Sequence, residues 1–279
     1  MKFTKMNGAG NDFIIIDNRD GGVDPHQYAY IARTLCRRRF SIGADGMMFV
    51  EAARVGGDYR MAFYNSDGSR GEMCGNGARC IARYGYEKGL AGDVQKIETT
   101  AGLVTGWKMD DSLYRIKLND VTKLVLSDQI VVGEIPYEYA YVELGDPGIP
   151  HAVVRIEGLD HGQRNHLLGL GQAIRHHSAF PKGANVNFYD LTGENQVTEL
   201  TFERGVEDFT YACGTGTAAV AAVLTLKGQS DGRDTQVHVP GGLLRVELEL
   251  TDGKITDIYL IGPTNIAAEG EVRDQELIL

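Results

Sequence analysis

The sequence predicts a mixed, strand-rich α/β fold made of two pseudo-symmetric domains, each a cage or barrel of strands around a central helix. Three observations predict it. Short apolar, β-branched runs outnumber helical patterns. One block of the sequence occurs twice in register. The helix of the second copy is apolar on every face.

The runs at 13–16, 47–50, 114–118, 142–144, 152–156, 197–202, 243–250 and 258–261 read as strands. The clearest helical patterns cover 27–38, 76–88, 163–175 and 215–227. Glycine is frequent, 36 of 279 residues, and low-complexity tracts are absent, so the glycines mark turns between ordered elements.

The repeat centres on two cysteines. Cys74-Gly75-Asn76-Gly77 matches Cys213-Gly214-Thr215-Gly216. Fourteen residues after each cysteine stands a lysine followed by glycine, Lys88-Gly89 and Lys227-Gly228, a helix stop signal. Eleven residues before each stands a phenylalanine at a strand end, Phe63 and Phe202. Downstream, Ala101-Gly102-Leu103 parallels Gly241-Gly242-Leu243, and each opens a strand, a polar turn and another strand. Upstream, "GAGNDFIII" (8–16) lies opposite "GDPGIPHAVV" (145–154). One matching CGxG pair could be chance, whereas cysteine, helix length and helix stop in register point to duplication. The expected domains are 1–118, joined by 264–279, and 119–263.

Residues 218–224 read Ala-Ala-Val-Ala-Ala-Val-Leu, and a helix apolar all round is buried on all sides. A helix threaded through strands satisfies that. The two helix N-termini can then face one another across a cleft.

Composition excludes several classes. A formal charge of −10 and a pI near 5.2 argue against nucleic acid or an anionic membrane as partner. The only basic run, Arg37-Arg38-Arg39, reads as a solvated face or local carboxylate pairing. No apolar h-region follows Lys2 and Lys5, and the longest nearly apolar run, 217–226, is too short to span a bilayer. A cytoplasmic protein with reduced thiols is expected, and four cysteines are too sparse for a disulfide scaffold. No C-x-x-C pair is present, so no metal is expected.

A cysteine just before a helix has its thiolate stabilised by the dipole and by unpaired N–H groups. The same groups bind a carboxylate or phosphate. Two such ends could grip one carboxylate, with a sulfur on each side of the adjacent carbon. That suits two-base racemisation, in which one thiolate removes the Cα proton and the opposing thiol protonates the other face. Depressed thiol pKa values are expected on both sides.

Further motifs sharpen this. In order they are "KMNGAGNDFIIID" (5–17), "SIGADG" (41–46), "YNSDGS" (64–69), "MCGNGARC" (73–80), "PHAVV" (150–154), "ANVNF" (184–188), "FERGVEDFTYACGTGTAA" (202–219), "GP" (262–263) and "EGEV" (269–272). The set resembles the diaminopimelate epimerase family, cofactor-independent amino-acid racemases, over nearly the whole chain. The resemblance implies epimerisation of LL-2,6-diaminopimelate to the meso form, an amino-acid substrate, no pyridoxal phosphate or other cofactor, and a homodimer. It implies Cys74 and Cys213 as catalytic bases, and amides of Gly75, Asn76, Gly214 and Thr215 on the reacting carboxylate. Asn11 would sit beside the reacting centre. Asn65, Asn185 and Arg204 would hold the distal carboxylate, Glu203 an amino group, and His151 would orient or tune a thiol.

Blander roles are expected elsewhere. Cys36 and Cys80 read as packing residues, and His176-His177 as a solvated helix end. Glu203 and Arg204 could instead be a plain surface ion pair. The pattern also departs from the family at Ile149, where an asparagine is common and would help to bind the distal carboxylate. That change leaves room for a sister racemase with another substrate, such as histidine. A redox-sensing thiol protein is the reading from a different class.

Overall fold

The computed structural model describes residues 1–71, 74–275 and 277; residues 72, 73, 276, 278 and 279 lie outside the described residues. The chain divides into two compact units, Met1–Ile116 with Gly262–Leu279, and Lys117–Ile261.

The first unit carries β1 (Lys2–Gly8), β2 (Asn11–Asp17), β3 (Gly46–Glu51), β4 (Tyr59–Asn65), β5 (Val94–Thr99), β6 (Gly102–Lys108), β7 (Leu113–Lys117) and the returning β17 (Asn265–Glu271). The strands follow the order β17-β1-β2-β3-β4-β5-β6-β7. The second unit carries β8 (Val121–Val132), β9 (Ile135–Leu144), β10 (Ile149–Arg155), β11 (Asn185–Gly193), β12 (Gln196–Glu203), the short β13 (Asp208–Phe209), β14 (Thr235–Val239), β15 (Gly242–Thr251) and β16 (Lys254–Pro263). Its order is β8-β9-β10-β11-β12-β14-β15-β16, with β13 paired on β12.

The two orders match strand for strand. In each, two joints are parallel, β2–β3 and β4–β5 in the first, β10–β11 and β12–β14 in the second. Parallel neighbours need a crossover. Helix α1 (Tyr28–Leu35) and helix α2 (Gly75–Glu87) supply it in the first unit, α3 (Arg164–Arg175) and α4 (Gly214–Leu226) in the second.

The crossovers differ in burial. α1 is amphipathic and packs Ile31, Ala32 and Leu35 into a cluster with Ile14, Met47 and Phe49. α3 does the same with Leu167 and Ile174 against Phe188, Leu200 and Phe202. α2 and α4 are central. α2 touches β1, β2, β5 and β6, and α4 touches β9, β10, β11 and β15. Strands from distant places in each order therefore meet one helix, the sheet curling around it. α4 buries nearly every residue from Gly214 to Thr225. Lys88-Gly89 and Lys227-Gly228 end the central helices, with φ of 66° and 69° at the glycines, a left-handed stop that favours glycine.

The pattern read over 27–38 is shorter than expected, because α1 stops at Leu35. Arg38 turns away to pair with Asp12 and Asp45, and Arg39 takes a positive φ of 73°. Among the described residues no helix is long and apolar enough to cross a membrane.

Candidate active site

Each CGxG block opens a central helix. Cys74 is the N-cap of α2, with φ −124° and ψ 121°. Cys213 is the N-cap of α4, with φ −122° and ψ 105°. Neither side chain makes a capping hydrogen bond of normal geometry. Ser, Thr or Asp here would occupy a first-turn N–H. Cysteine leaves the donors of Gly75, Asn76, Gly214 and Thr215 better able to receive an anion. Gly75, Asn76 and Gly214 are buried and Thr215 is half-buried.

The third residue of each block is glycine for packing. A Cβ on Gly216 would come 2.2 Å from Asn187 Oδ1, and one on Gly77 would come 2.4 Å from Met48 Cε. Each helix start therefore lies hard against the strands beneath it.

Around Cys74, the thiol donates to Asn11 Oδ1 at 3.3 Å. Asn11, the first residue of β2, donates from Nδ2 to Asp45 Oδ2 at 2.7 Å. A carboxylate can only accept, so Asp45 fixes the amide with its oxygen toward the sulfur. Asp45 also accepts from the Asp12 N–H and from Arg38. Sequence reading missed this lock, although Asp45 lies inside the "SIGADG" motif. Asn65 ends β4, exposed, and donates to Ser69 Oγ at 2.9 Å within its own turn.

Around Cys213, the sulfur lies 3.6 Å from Thr215 Oγ1 and is 8% exposed. Burial pushes this thiol well above its ordinary value, the Glu203 and Glu199 carboxylates add to the rise, and Thr215 and the Gly216 N–H draw it down. This corrects the expectation of a depressed thiol: at this site the loss of water outweighs the helix end.

Beneath α4 lies a buried polar chain that the sequence did not announce. Thr217 donates to Glu199 Oε2 at 2.7 Å, and Thr201 lies 3.3 Å from Glu199 Oε1 and 3.1 Å from Asn187 Oδ1. Asn187 Nδ2 lies 3.2 Å from His151 Nδ1 and 3.3 Å from the Ala152 oxygen. Burial pushes the Glu199 carboxyl up to about 7, the two threonine hydroxyls opposing. Burial and then the Arg204 charge lower His151 to about 3, so its ring is neutral, with Nδ1 accepting from Asn187. His151 is fully buried on β10 and makes no hydrogen bond to a thiol among the described residues.

Asn185 opens β11 beside His151 in register. Its Oδ1 accepts the Arg204 N–H at 2.8 Å, and its Nδ2 makes only a long 3.4 Å bond to the Pro150 oxygen. Arg204 Nη1 donates to the Lys182 oxygen at 3.1 Å, which leaves the rest of the guanidinium fork available. Glu203 and Arg204 are half-buried and form no ion pair with each other among the described residues. Ile149 is half-buried at the start of β10, opposite Leu144. Cys36 and Cys80 are buried in their cores, and none of the four cysteines is in a disulfide. Among the described residues no group of His, Cys, Asp and Glu could hold a metal ion.

The family described as diaminopimelate epimerase matches residues 3–123 and 145–267. The chain belongs to the diaminopimelate epimerase family. The diaminopimelate epimerase of Archaeoglobus fulgidus is 35% identical, covering 99% of this chain and 97% of that protein. That of Methanocaldococcus jannaschii is 36% identical, covering 94% and 95%. That of Aquifex aeolicus is 34% identical, covering 99% of both. Two solved structures share the fold. A probable proline racemase from Agrobacterium radiobacter has a TM-score of 0.70 at 19% identity, covering 97% of this chain and 92% of that one. A hydroxyproline epimerase from Agrobacterium vitis has a TM-score of 0.70 at 20% identity, covering 97% and 91%.

Proposed function

We propose that the chain epimerises LL-2,6-diaminopimelate to meso-diaminopimelate without a cofactor, by proton exchange at Cα between Cys74 and Cys213. The observation that carries the reading is a cysteine, in no disulfide, at the N-cap of the central helix of each matching unit. One thiolate takes the Cα proton, and the other thiol gives its own proton to the opposite face, so the enzyme ends with the roles exchanged. Charge that develops on the adjacent carboxylate is met by the amides of Gly75-Asn76 and Gly214-Thr215, donors already ordered before the reaction.

Glu203 receives the substrate ammonium. That pairing neutralises a carboxylate that helps to hold the Cys213 thiol up, so substrate binding itself eases ionisation there. Arg204, with Asn185 Nδ2 and Asn65, takes the distal carboxylate, the fork of Arg204 giving a bidentate pair. Asn11 accepts a hydrogen bond from the Cys74 thiol when Cys74 carries the proton. His151, buried and neutral, acts through Asn187 on the strands beneath α4. The reading includes a cytoplasmic homodimer, which light scattering tests.

The test is α-proton exchange in D₂O by NMR, with reductant present, across LL-diaminopimelate, histidine, glutamate, lysine and hydroxyproline. Deuteration with inversion of diaminopimelate alone is expected, and Cys74→Ala or Cys213→Ala should abolish inversion. Exchange confined to another amino acid would move the chain to a sister racemase. No exchange at all with reduced thiols would end the enzymatic reading. The full-length relatives named for diaminopimelate support that substrate over the sister racemase, and on this reading Ile149 is a tolerated change. Ile149→Asn should then alter kcat/KM on diaminopimelate by less than about tenfold, the worth of one exposed hydrogen bond.

A further inference from the structure

Nine residues before each motif cysteine stands a side chain proposed for the distal carboxylate, Asn65 before Cys74 and Arg204 before Cys213. Asn65 is the last residue of β4 and Arg204 the first after β12, and each opens a tight turn. The turn after Asn65 leans on α1 through backbone alone: a Cβ on Gly68 would come 2.4 Å from the Ala29 oxygen. The turn after Arg204 leans on α3 through one side chain, Arg175, in the last turn of that helix.

The Arg175 side chain is only 14% exposed, and it touches two loops. On one side its Nε and Nη2 lie 3.2 and 3.0 Å from Glu207 Oε1. The same oxygen accepts the Gly205 N–H at 2.9 Å, and the Glu207 N–H donates to the Glu203 oxygen at 2.8 Å. His176 Nε2 lies 3.3 Å from Glu207 Oε2. Glu207 holds a left-handed φ of 59°, beside Gly205 at 90°. That conformation is costly for any residue but glycine, and it persists where the surroundings fix it. On the other side the guanidinium presses on Gly183, where an added Cβ would come 1.8 Å from Nη1. Gly183 follows Lys182, whose oxygen accepts from Arg204 Nη1 at 3.1 Å. The turn that carries Arg204 and the carbonyl that holds its fork therefore rest on the same side chain. An ion pair with a half-exposed carboxylate adds little stability, so the worth of Arg175 lies in geometry.

We propose that Arg175 and Glu207 are positioning residues that hold the Arg204 guanidinium in the pose that receives the distal carboxylate, and so set the preference for a substrate with a carboxylate at both ends. The inference deepens the diaminopimelate reading, on which the role of Arg204 rests. A guanidinium fork must meet both carboxylate oxygens at once to form a bidentate pair. A turn displaced by about 1 Å loses that pairing while the charge itself remains. The distal end is remote from Cα, so the loss falls mainly on KM.

The test is made on the full chain. Arg175→Met should raise the KM for LL-diaminopimelate about tenfold and change kcat by less than about threefold. Glu207→Ala removes the other half of the contact from an exposed position, and should do the same even if Arg175→Met fails to fold. In an Arg204→Met chain, adding Arg175→Met should change KM by less than about twofold, because the group it positions is gone. A KM that neither single variant moves overturns the proposal. So does a loss that adds in full to that of Arg204→Met, which a merely structural role would give. A second measurement needs no substrate. By NMR, the Gly205 N–H should exchange with D₂O at least about tenfold faster in Arg175→Met, with the first-turn amides of α4 unchanged. Unchanged exchange at Gly205 overturns the proposal. A parent chain that does not exchange the Cα proton of diaminopimelate sinks the substrate reading instead, and the amide exchange then decides by itself whether Arg175 holds the turn.

Discussion

Gly77 and Gly216 occupy the same place in the two CGxG blocks, yet their replacement by alanine should have unequal consequences. At Gly216 the new methyl would meet Asn187 Oδ1 at 2.2 Å and Thr201 Oγ1 at 3.3 Å. Asn187 cannot move freely, because it bonds His151, Ala152 and Thr201 in a buried chain. Overpacking costs about 1–3 kcal/mol, and each displaced buried hydrogen bond about 1 kcal/mol more. Better helix propensity returns at most about 1 kcal/mol. A net loss of about 2–4 kcal/mol is expected for Gly216→Ala, together with lower turnover, because the first turn beside Cys213 must shift. At Gly77 the methyl would meet Met48 Cε at 2.4 Å, the end of a flexible side chain. The expected loss is about 0–2 kcal/mol. Urea unfolding of the full-length variants, with kcat alongside, measures both. If Gly77→Ala destabilises as much as Gly216→Ala, or Gly216→Ala is neutral, the reasoning from the buried polar chain is refuted.

Asp45→Ala releases the Asn11 amide, so epimerisation should slow about 3–10-fold with little change in melting temperature, since Asp45 is exposed; parent turnover would show that the lock is idle. Stability should depend on pH through two buried groups of opposite slope. His151, lowered to about 3, is neutral when folded, so stability falls as pH drops below about 6.5. Glu199, raised to about 7, stays protonated when folded, so stability falls as pH rises from about 4.5 to 7. Between pH 5 and 6.5 the two should nearly cancel, and Glu199→Gln should expose a rise of about 1.4 kcal/mol per pH unit, read by urea unfolding at each pH; a flat variant profile would mean that His151 is not buried neutral.

Much of the site could be read in the sequence because its chemistry sits on local signals. Cys74 and Cys213 precede glycine-rich helix starts, and Lys-Gly marks each helix end fourteen residues later. Arg38 was read only as a solvated face or a local carboxylate pair, and the structure gives it a second task, holding Asp45. Strands with alternating charge were harder. β1 reads Lys-Phe-Thr-Lys-Met-Asn-Gly, and β17 ends in Glu-Gly-Glu, so neither has the apolar run that marked β2 or β10. Their pairing is fixed by partners more than 250 residues away in the chain, such as Lys2 with Glu271.

The sequence by itself determined the duplication, the two central helices and the placing of a thiol at each helix start. These follow from glycine, helix periodicity and caps, which act over a few residues. Only the tertiary structure decided which polar side chains are buried in the two units. Arg79 in a helix and Glu199 in a strand look like ordinary surface residues in sequence, and both are fully buried. The Cys213 thiol, expected low from its helix end, is raised for the same reason. Solvent exclusion depends on every strand wrapped around the helix, and no local stretch of the chain encodes it.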